Sequence, residues 1–478
     1  MPFQITPEID FSAVGLITDV PAHALPQGAW SDCLNIRVKD GAVQGVNSFE
    51  DSFSISSTFS TSKPVAITQW TPAGSSFLNI AYVIKSEHVS DVANKGRVFI
   101  YNTGTQVTAE ITDATLPFLI DDKYPPQLFV FNGLLICNPG TAMSFFDDKG
   151  TASLSDDEAY PVDLAWSSHI TALDSLSGVT WQATTTNTAG DAYLTQTSGR
   201  ILDGGQLGEF FIAYKTDAVV RVYETGDSFV LGFDSIFEDD GIYSTRCFAN
   251  IGDSQHLVIG NYGVYLHDGQ SQRQDIAKGI FQDTMFDLVK GSDKNKSFVF
   301  QQTRDKEVWF CFRETGTSGS GCNKAFVYNY MSQSVHIRTL PDITDLYETE
   351  IDGQLAIYAA ADSSVVKQLS NTLLETSGWF SRTDDSLGSN DRYKDINQIF
   401  PESTGSFKIA IVSSSGPLTA SELYTQFNLK DKVYDPALTY KLDVRDSGRY
   451  LNMRVTMNGT VNPKLTTLQF SLRAPSKR

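Results

Sequence analysis

The chain has 478 residues, 41% of them hydrophobic and including 30 Phe and 19 Tyr, which is ample for a large packed body and excludes a chain too polar to bury a core. Lys and Arg number 37 against 56 Asp and Glu, a formal net charge of −19 that excludes general adhesion to nucleic acid or anionic lipid, so any contact with DNA is a passing one. The five cysteines (Cys33, Cys137, Cys247, Cys311, Cys322) are odd in number and contain no C-x-x-C pair, which gives neither a disulfide framework nor a zinc site and suits a reducing compartment.

Taken in chain order, Glu8, Asp10 and Asp19 stand where a secretory signal needs Lys or Arg ahead of an apolar run, so export by that route is not expected. Prolines at 2, 7, 21 and 26 forbid continuous helix or central strand, and residues 1–50 read as an extended arm. Only NIRVKDGAVQGV, from Asn35, has hairpin character, turning at Asp40 and Gly41. Phe11, Val14, Leu16, Ile17 and Trp30 then need a surface to dock on, either the body or a neighbouring molecule.

Residues 51–375 carry a recurring phrase in which alternating apolar and aromatic residues run into an Asn, Asp, Gly or Thr turn. It occurs as VFIYNTGT from Val98, MSFFDDKG from Met143, VVRVYETGD from Val219, GVYLHDGQ from Gly263, AFVYNYMSQ from Ala325 and SVVKQLSNT from Ser364. Such units cannot bury both faces alone and must stack or close into a ring. In EVWFCF, Val308, Phe310 and Phe312 share one face and Trp309 and Cys311 the other; two apolar faces are expected where units stack upon each other. The stretch LFVFNGLLIC, from Leu128, is the longest apolar run and about half the roughly 20 residues of a membrane helix. A Ser, Thr, Asp and Gly-rich passage at about 151–205 reads as an exposed insertion, and a short helix is expected near 283–290 with Met285, Phe286 and Val289 on one side.

Beyond about 376 the pattern changes. Leu451, Met453, Val455 and Met457 alternate with Tyr450, Asn452, Arg454 and Thr456, one face packed and one wet, which predicts a β-sandwich over 376–478. The fold expected is thus mainly β: a β-propeller of roughly five to seven blades, six the central value, with an N-terminal extended arm and a C-terminal β-sandwich.

The chemistry-bearing motifs G-x-x-x-x-G-K-[ST], G-x-G-x-x-G, H-E-x-x-H and G-x-S-x-G do not occur. The histidines His23, His88, His169, His256, His267 and His336 are scattered and read one by one as packed or surface residues. Acidic clusters at Asp121 and Asp122, Asp147 and Asp148, Asp156 to Glu158, Glu238 to Asp240, and Asp384 and Asp385 sit at turns, where Asp serves local backbone hydrogen bonding; FEDDGIY lacks the alternating spacing of a calcium loop. No residue is therefore assigned a catalytic, cofactor-binding or metal-ligating role, no cofactor is expected, and the protein is not expected to be an enzyme.

Several segments together resemble the tail nozzle proteins of short-tailed bacteriophages, a family that includes packaged-DNA stabilisation and tail tubular proteins. The opening GLITDVPAHALPQGAWSDCLNIRVKDGAV, the central HLVIGNYGVYLHDGQ, VWFCF and AFVYNYMSQSVHIRTLPDI, and the late LDVRDSGRYLNMRV carry the likeness; Gln44-Gly45 stands where family openings commonly place Arg-Pro or Arg-x-Gly. The resemblance implies a structural component of the virion tail, made in the host cytoplasm. It implies a ring of about six copies that extends the channel below the portal and its adaptor, holds packaged DNA and lets double-stranded DNA pass at ejection. Its partners would be the portal-adaptor ring, other copies of itself, and tail fibres or a needle, with no membrane anchor. An acidic wall suits such a conduit, because it repels a polyanion within about 8 Å at physiological salt. The competing expectation is a propeller-type tail protein that binds or degrades glycans, which requires aromatic side chains gathered beside paired carboxylates.

Overall fold

The computed structural model describes residues 4–5, 8–71, 77–88, 91–112, 119–120, 125–131, 133–139, 143–147, 158–162, 194–226, 231–252, 254–289, 291–351, 353–386, 393–458 and 462–473. Within them the chain is mainly β, and the recurring phrases become antiparallel four-stranded meanders. Unit one comprises Lys63–Gln69, Asn79–Lys85, Gly96–Asn102 and Val107–Glu110. Unit two is Gln127–Phe131, Leu134–Asn138, Met143–Asp147 and Glu158–Val162. Unit three is Ile201–Leu207, Phe210–Lys215, Val219–Glu224 and Leu231–Phe237, and unit four is Phe248–Ile251, Gln255–Ile259, Val264–His267 and Arg273–Asp275.

Units five and six share one strand. Phe298–Gln302, Glu307–Phe312, Cys322–Asn329 and the first half of Val335–Ile351 make unit five. The long strand bends at Pro341 and Asp342, where Asp342 takes φ +50° and the register shifts, and its second half pairs with Gln354–Ala361, itself followed by Val365–Leu374. The fourth strand of unit six comes from the other end of the chain: Asn47–Ser54 pairs antiparallel with Val365–Leu374.

The two apolar faces of EVWFCF each find a neighbour. Val308 and Phe310 meet Leu257, Ile259, Val264 and Phe281 of the unit-four region, while Trp309 and Cys311 enter a cluster with Leu346, Ile357 and Ala359 of unit six. Unit one behaves alike, with Ala81, Val83 and Ile100 packing with Leu135 and Cys137 of unit two, and Ile80, Tyr82 and Phe99 with Tyr358, Ala360 and Val366 of unit six. Units three and four meet through Tyr214 against Phe248 (ring centroids 5.1 Å apart) and Phe237 against Tyr265 (5.8 Å). Face-to-face stacking therefore runs from unit three through four, five, six and one to two.

Residues 1–50, expected as an extended arm docked on the body or on a neighbouring molecule such as an adaptor or a second subunit, are woven into the sheets of their own chain over the described part. Ile36–Lys39 and Ala42–Gly45 form the expected hairpin, but they and the short strands Gln4–Ile5 and Glu8–Asp10 belong to a seven-stranded sheet with Leu465–Arg473, Lys394–Ser403 and Leu442–Gly448. Asp32–Leu34 joins a second sheet beside Trp379–Asp385, Tyr450–Met457, Phe407–Ser414 and Lys432–Tyr434. The physical reason is burial: Phe11 and Trp30, both fully buried, enclose Phe380 at centroid distances of 5.1 and 4.9 Å, and an isolated arm cannot hide those rings. Gly28, at φ +84°, is required here because a Cβ would lie 2.1 Å from the Asp10 carbonyl oxygen.

The C-terminal sandwich over 376–478 is thus a shared product of both chain ends, and its strand Tyr450–Met457 buries Leu451, Met453, Val455 and Met457 as expected but also Asn452, whose amide donates to the Val412 carbonyl. The expected insertion at about 151–205 is corrected at both margins, since Glu158–Val162 and Ile201–Leu207 are strands of units two and three; 163–193 lie outside the described residues. Two α-helices complete the described set. α1 (Gln282–Leu288) buries Met285, and α2 (Ala420–Lys430) opens with a capping box in which Thr419 and Glu422 satisfy each other's backbone N–H groups.

Phe53, on the closing strand, stacks on Tyr101 at 3.8 Å and approaches Tyr82 and Tyr358, so it ties unit six to unit one. Phe53→Ala is expected to lower unfolding free energy by about 3–5 kcal/mol, whereas Tyr262→Ala, at a side chain 75% exposed, stays within about 0.5 kcal/mol; urea denaturation of the two variants checks both.

Candidate functional site: a cross-unit cavity and the sandwich joint

Side chains from several units converge at two places. The first centres on Arg246, just before unit four, in the left-handed region at φ +63°. Its backbone N–H donates to Asp203 Oδ2 of unit three (2.5 Å), its carbonyl accepts from the Val299 N–H of unit five (2.6 Å), and its guanidinium pairs with Asp345 of unit six while lying 4.7 Å from the Phe298 ring centroid. Asp345 Oδ2 in turn accepts from the Ile67 N–H of unit one (2.9 Å). One ion pair, held on the segment leading into unit four, therefore touches units one, three, five and six. Burial pushes the Asp203 and Asp345 carboxyls up, against the opposing pull of Arg246 and of the backbone N–H groups they accept.

Beside this hub opens a cavity of about 430 Å³ between units one, five and six and the segment leading into unit two. Lys63, Lys85, Lys296, Glu87, Ser320 and Asp362 supply its polar wall, with Val65, Pro125, Pro126 and Ile343 among the apolar residues. Asp362 forms an ion pair with Lys63 Nζ (2.5 Å) and accepts from the Ser320 hydroxyl (2.7 Å); burial opposes its charge, but these contacts outweigh it and hold the carboxyl below its usual range. An ionised, locked carboxylate can orient a polar ligand and cannot act as a proton donor near neutral pH.

The second place joins sandwich to body. Arg37 of the N-terminal hairpin, buried, donates to Asp305 Oδ2 (2.8 Å) and Glu307 Oε1 (3.0 Å), and Lys39 Nζ reaches Asp305 Oδ1 (2.6 Å). Trp309 Nε1 donates to Glu307 Oε2 (3.0 Å), and Arg338, its guanidinium carbon 4.1 Å from the Trp309 ring centroid, donates to the Asn47 carbonyl (2.8 Å). Burial works against the charge of Asp305, but Arg37 and Lys39 override it and hold this carboxyl well below the usual range; burial brings the Arg338 guanidinium down to about 10. His336, also buried there, is kept neutral by burial and by the adjacent Arg37 and Arg338.

The sequence candidates fall as follows. All five cysteines are buried free thiols, and Cys311 and Cys322 sit in one apolar cluster without a bridge. His256 and His267, opposite each other on neighbouring strands of unit four, form a chain with Tyr214: the Gly269 N–H donates to His267 Nδ1 (3.2 Å), so His267 Nε2 donates to Tyr214 Oη (2.7 Å), which donates to His256 Nδ1 (2.7 Å), whose Nε2 donates to the Gln206 carbonyl (3.0 Å). His88 lies against Phe59, and His23 is exposed on a 3-10 turn. Asp239 pairs with Arg273, Asp240 accepts from the Asn261 N–H, and Asp385 holds Arg382, which caps the carbonyls of Pro26 and Ala29. Asp121, Asp122, Asp148, Asp156, Asp157 and His169 lie outside the described residues, as do the side chains of Asp147 and Glu158. Among the described residues no three His, Cys, Asp or Glu side chains gather around a metal-sized space, and no helix is long and apolar enough to cross a membrane.

No protein-family model matches the chain, and no curated protein sequence does. Among solved structures it is similar to PorZ, a surface component of the type-IX secretion system of Porphyromonas gingivalis, at 8% identity and TM-score 0.35, covering 74% of this chain and 44% of that one. It is also similar to an ancestral GH74 enzyme (11%, TM-score 0.33, 72% and 48%) and to an exported protein of Bacteroides fragilis (9%, TM-score 0.33, 73% and 88%). The chain thus spans less than half the length of the first two. Scores of this size carry no argument about function.

Two measurements test these sites. Arg37→Met leaves Asp305 and Glu307 buried with fewer counter-charges and is expected to cost about 3–5 kcal/mol, while Lys39→Met, at a partly exposed lysine, costs about 1 kcal/mol or less; denaturant midpoints report the difference. His267 is lowered from 6.5 to about 4, first by burial and then by His256. The unfolded chain therefore binds the extra proton first, and stability falls as pH drops from about 6.5 to about 4, by up to about 3 kcal/mol for this group. His267→Gln, which keeps a donor toward Tyr214, flattens the urea-midpoint profile across that window; an unaltered profile assigns the dependence elsewhere.

Proposed function

We propose that the six stacked units close into a six-bladed β-propeller and that the protein is a structural subunit of a tail nozzle, assembled as a ring below a portal and adaptor in a short-tailed phage virion. Closure is supported by the unbroken face-to-face order from unit three round to unit two and by the strand Asn47–Ser54, which completes unit six from the far end of the chain. Residues 163–193, which link units two and three, lie outside the described residues.

The observation that carries the function is the joint. The segments that resemble nozzle proteins are those that build it: NIRVKDGAV supplies Arg37 and Lys39, VWFCF supplies Trp309, and AFVYNYMSQSVHIRTLPDI supplies His336 and Arg338. A sandwich locked to a propeller by buried charge is a rigid two-part block, the mechanical property that wall material around a pressurised channel requires. DNA would run along the acidic surface of the assembled ring.

A second reading, a glycan-binding or glycan-degrading propeller, draws on the cavity holding Glu87 and Asp362. Its weakness is chemical: glycoside cleavage needs one carboxyl kept protonated, and the Lys63 contact does the opposite to Asp362.

The decisive experiment mixes purified protein with its portal-adaptor complex and images the product by negative stain. A closed ring continuous with the adaptor is expected, and persistent single copies that never join overturn the nozzle reading. Release of reducing ends from host capsule or lipopolysaccharide by the same preparation would promote the glycan reading.

A further inference from the structure

A cleft of about 770 Å³ opens where the N-terminal segment, α1 and the sandwich meet, apart from the two sites described above. Ile17 and Val20 of the N-terminal segment, Trp379 of the sandwich and Tyr424 of α2 belong to its apolar lining. Tyr424 is 66% exposed, and Trp379 is half-buried. Rings of this kind, apolar in body and polar at one edge, are enriched where one protein meets another. Four carboxylates line the same cleft, those of Asp19, Asp32, Asp283 and Asp287, against one cation, Arg454. That guanidinium is already engaged by Asp431 (3.2 Å) and by the Asn428 side-chain oxygen (2.8 Å).

The four acids are not alike. Asp19 is committed within the chain, where its carboxylate accepts from the backbone N–H groups of Asp283 (2.9 Å) and Thr284 (3.2 Å). Asp32, Asp283 and Asp287 form no ion pair among the described residues. Asp283 and Asp287 are exposed and stand one turn apart on α1, a like-charge spacing that costs stability unless a cation lies between them. Asp32 is reachable by solvent yet walled in, and this burial pushes its carboxyl up against the pull of the Cys33 N–H and of Lys324. The cleft therefore joins an apolar lining to three carboxylates that the chain itself leaves without a counter-charge.

We propose that this cleft holds a peptide segment of another protein, one that sets Lys or Arg against Asp32, Asp283 and Asp287 and lays an aliphatic or aromatic side chain against Trp379 and Tyr424. Charge complementarity selects this occupant. The unpaired carboxylates repel nucleic acid and anionic lipid, and a small cation alone would leave the apolar lining wet. A copy of this chain is disfavoured as well. Its net charge is −19, and the basic residues at the end of α2 serve their own sandwich: Lys430 Nζ pairs with Asp446 (2.6 Å) and Lys432 Nζ donates to the Asp443 carbonyl (2.5 Å). The same net charge draws a cationic segment toward the molecule from a distance, while the aromatic anchors and the acids fix where it stops. The proposal needs no ring and stands apart from the nozzle reading.

The test uses the full chain and, as its probe, a ribosome-displayed library of random peptides, with fluorescence anisotropy of the peptides recovered. These are expected to combine Lys or Arg with Leu, Phe or Trp and to bind less tightly as salt is raised. Asp283→Lys with Asp287→Lys is expected to weaken them roughly tenfold or more, and Tyr424→Ser also weakens them. Asp283→Asn with Asp287→Asn, which keeps the side-chain shape should the reversed pair fail to fold, acts in the same direction by a smaller factor. Glu224→Lys with Glu238→Lys, at exposed acids on and just after unit three, changes the net charge equally and leaves the affinity in place. Circular dichroism confirms the folding of each variant, and carbodiimide should join a peptide lysine to Asp283 or Asp287. Failure to recover any binder, recovered peptides without basic residues, or equal losses in the cleft and control variants overturn the proposal. So does concentration-dependent association of the native chain that Asp283→Lys with Asp287→Lys abolishes, which gives the cleft to a second copy.

Discussion

The pairing of Asn47–Ser54 with Val365–Leu374 is the constraint on which the rest of the architecture depends. Units one, five and six bury apolar side chains on both faces, so each needs a neighbour on either side. A strand from just before unit one, added to unit six, holds these two units side by side. Opening the stack between these units must break both the backbone ladder of Val365–Leu374 and the ring contacts of Phe53 with Tyr101 and Tyr358. The same crossing fixes where the rest of the N-terminal segment goes. With residue 47 held at unit six, the hairpin of Ile36–Lys39 and Ala42–Gly45 lies within reach of the strands that follow unit six, and one sandwich takes up both ends.

Buried charge, not apolar contact alone, sets how the two parts sit. Replacing a buried ion cluster by well-fitted hydrophobic groups is often neutral or stabilising, so Arg37, Asp305 and Glu307 are poor evidence for added stability. What they add is directional: Arg37 must meet two carboxylates at 2.8 and 3.0 Å, and a sandwich rotated or slid by a residue leaves all three unpaired in a desolvated place. Arg246 does the same among the units, where greasy faces alone would tolerate slippage. The Tyr214, His256 and His267 chain is a third instance, every nitrogen and the phenol satisfied in one order of donors only.

Much of the fold was legible. The two-sided burial of EVWFCF, the α1 helix with Met285, and the alternating core face of Tyr450–Met457 all follow from period and residue type, because these features are local. Prolines and short strands give 1–50 the look of an arm and leave open which surface it docks on, because the burial partner of Phe11 and Trp30 stands some 350 residues away and leaves no local trace. The joint did leave one. Arg37 and Lys39 occupy alternate positions on a strand whose other face is Ile36 and Val38, and a paired charge on a strand that must pack calls for acids opposite it. Which acids was beyond the sequence, since the turn holding Asp305 and the strand beginning at Glu307 look like any polar hairpin. His256 and His267 read as isolated for the same reason; only the register of their hairpin puts them opposite each other.

Charge distribution bears on association as well. A chain of −19 resists association with copies of itself at long range, and association proceeds only where some surface is locally free of that excess. The stretch from 424 to 449 is such a surface, and it coincides with the exposed Leu429, Val433, Leu438 and Tyr440. Apolar exposure without the lysines would be a hazard for indiscriminate aggregation, and lysines without the apolar groups would give a contact dissolved by salt.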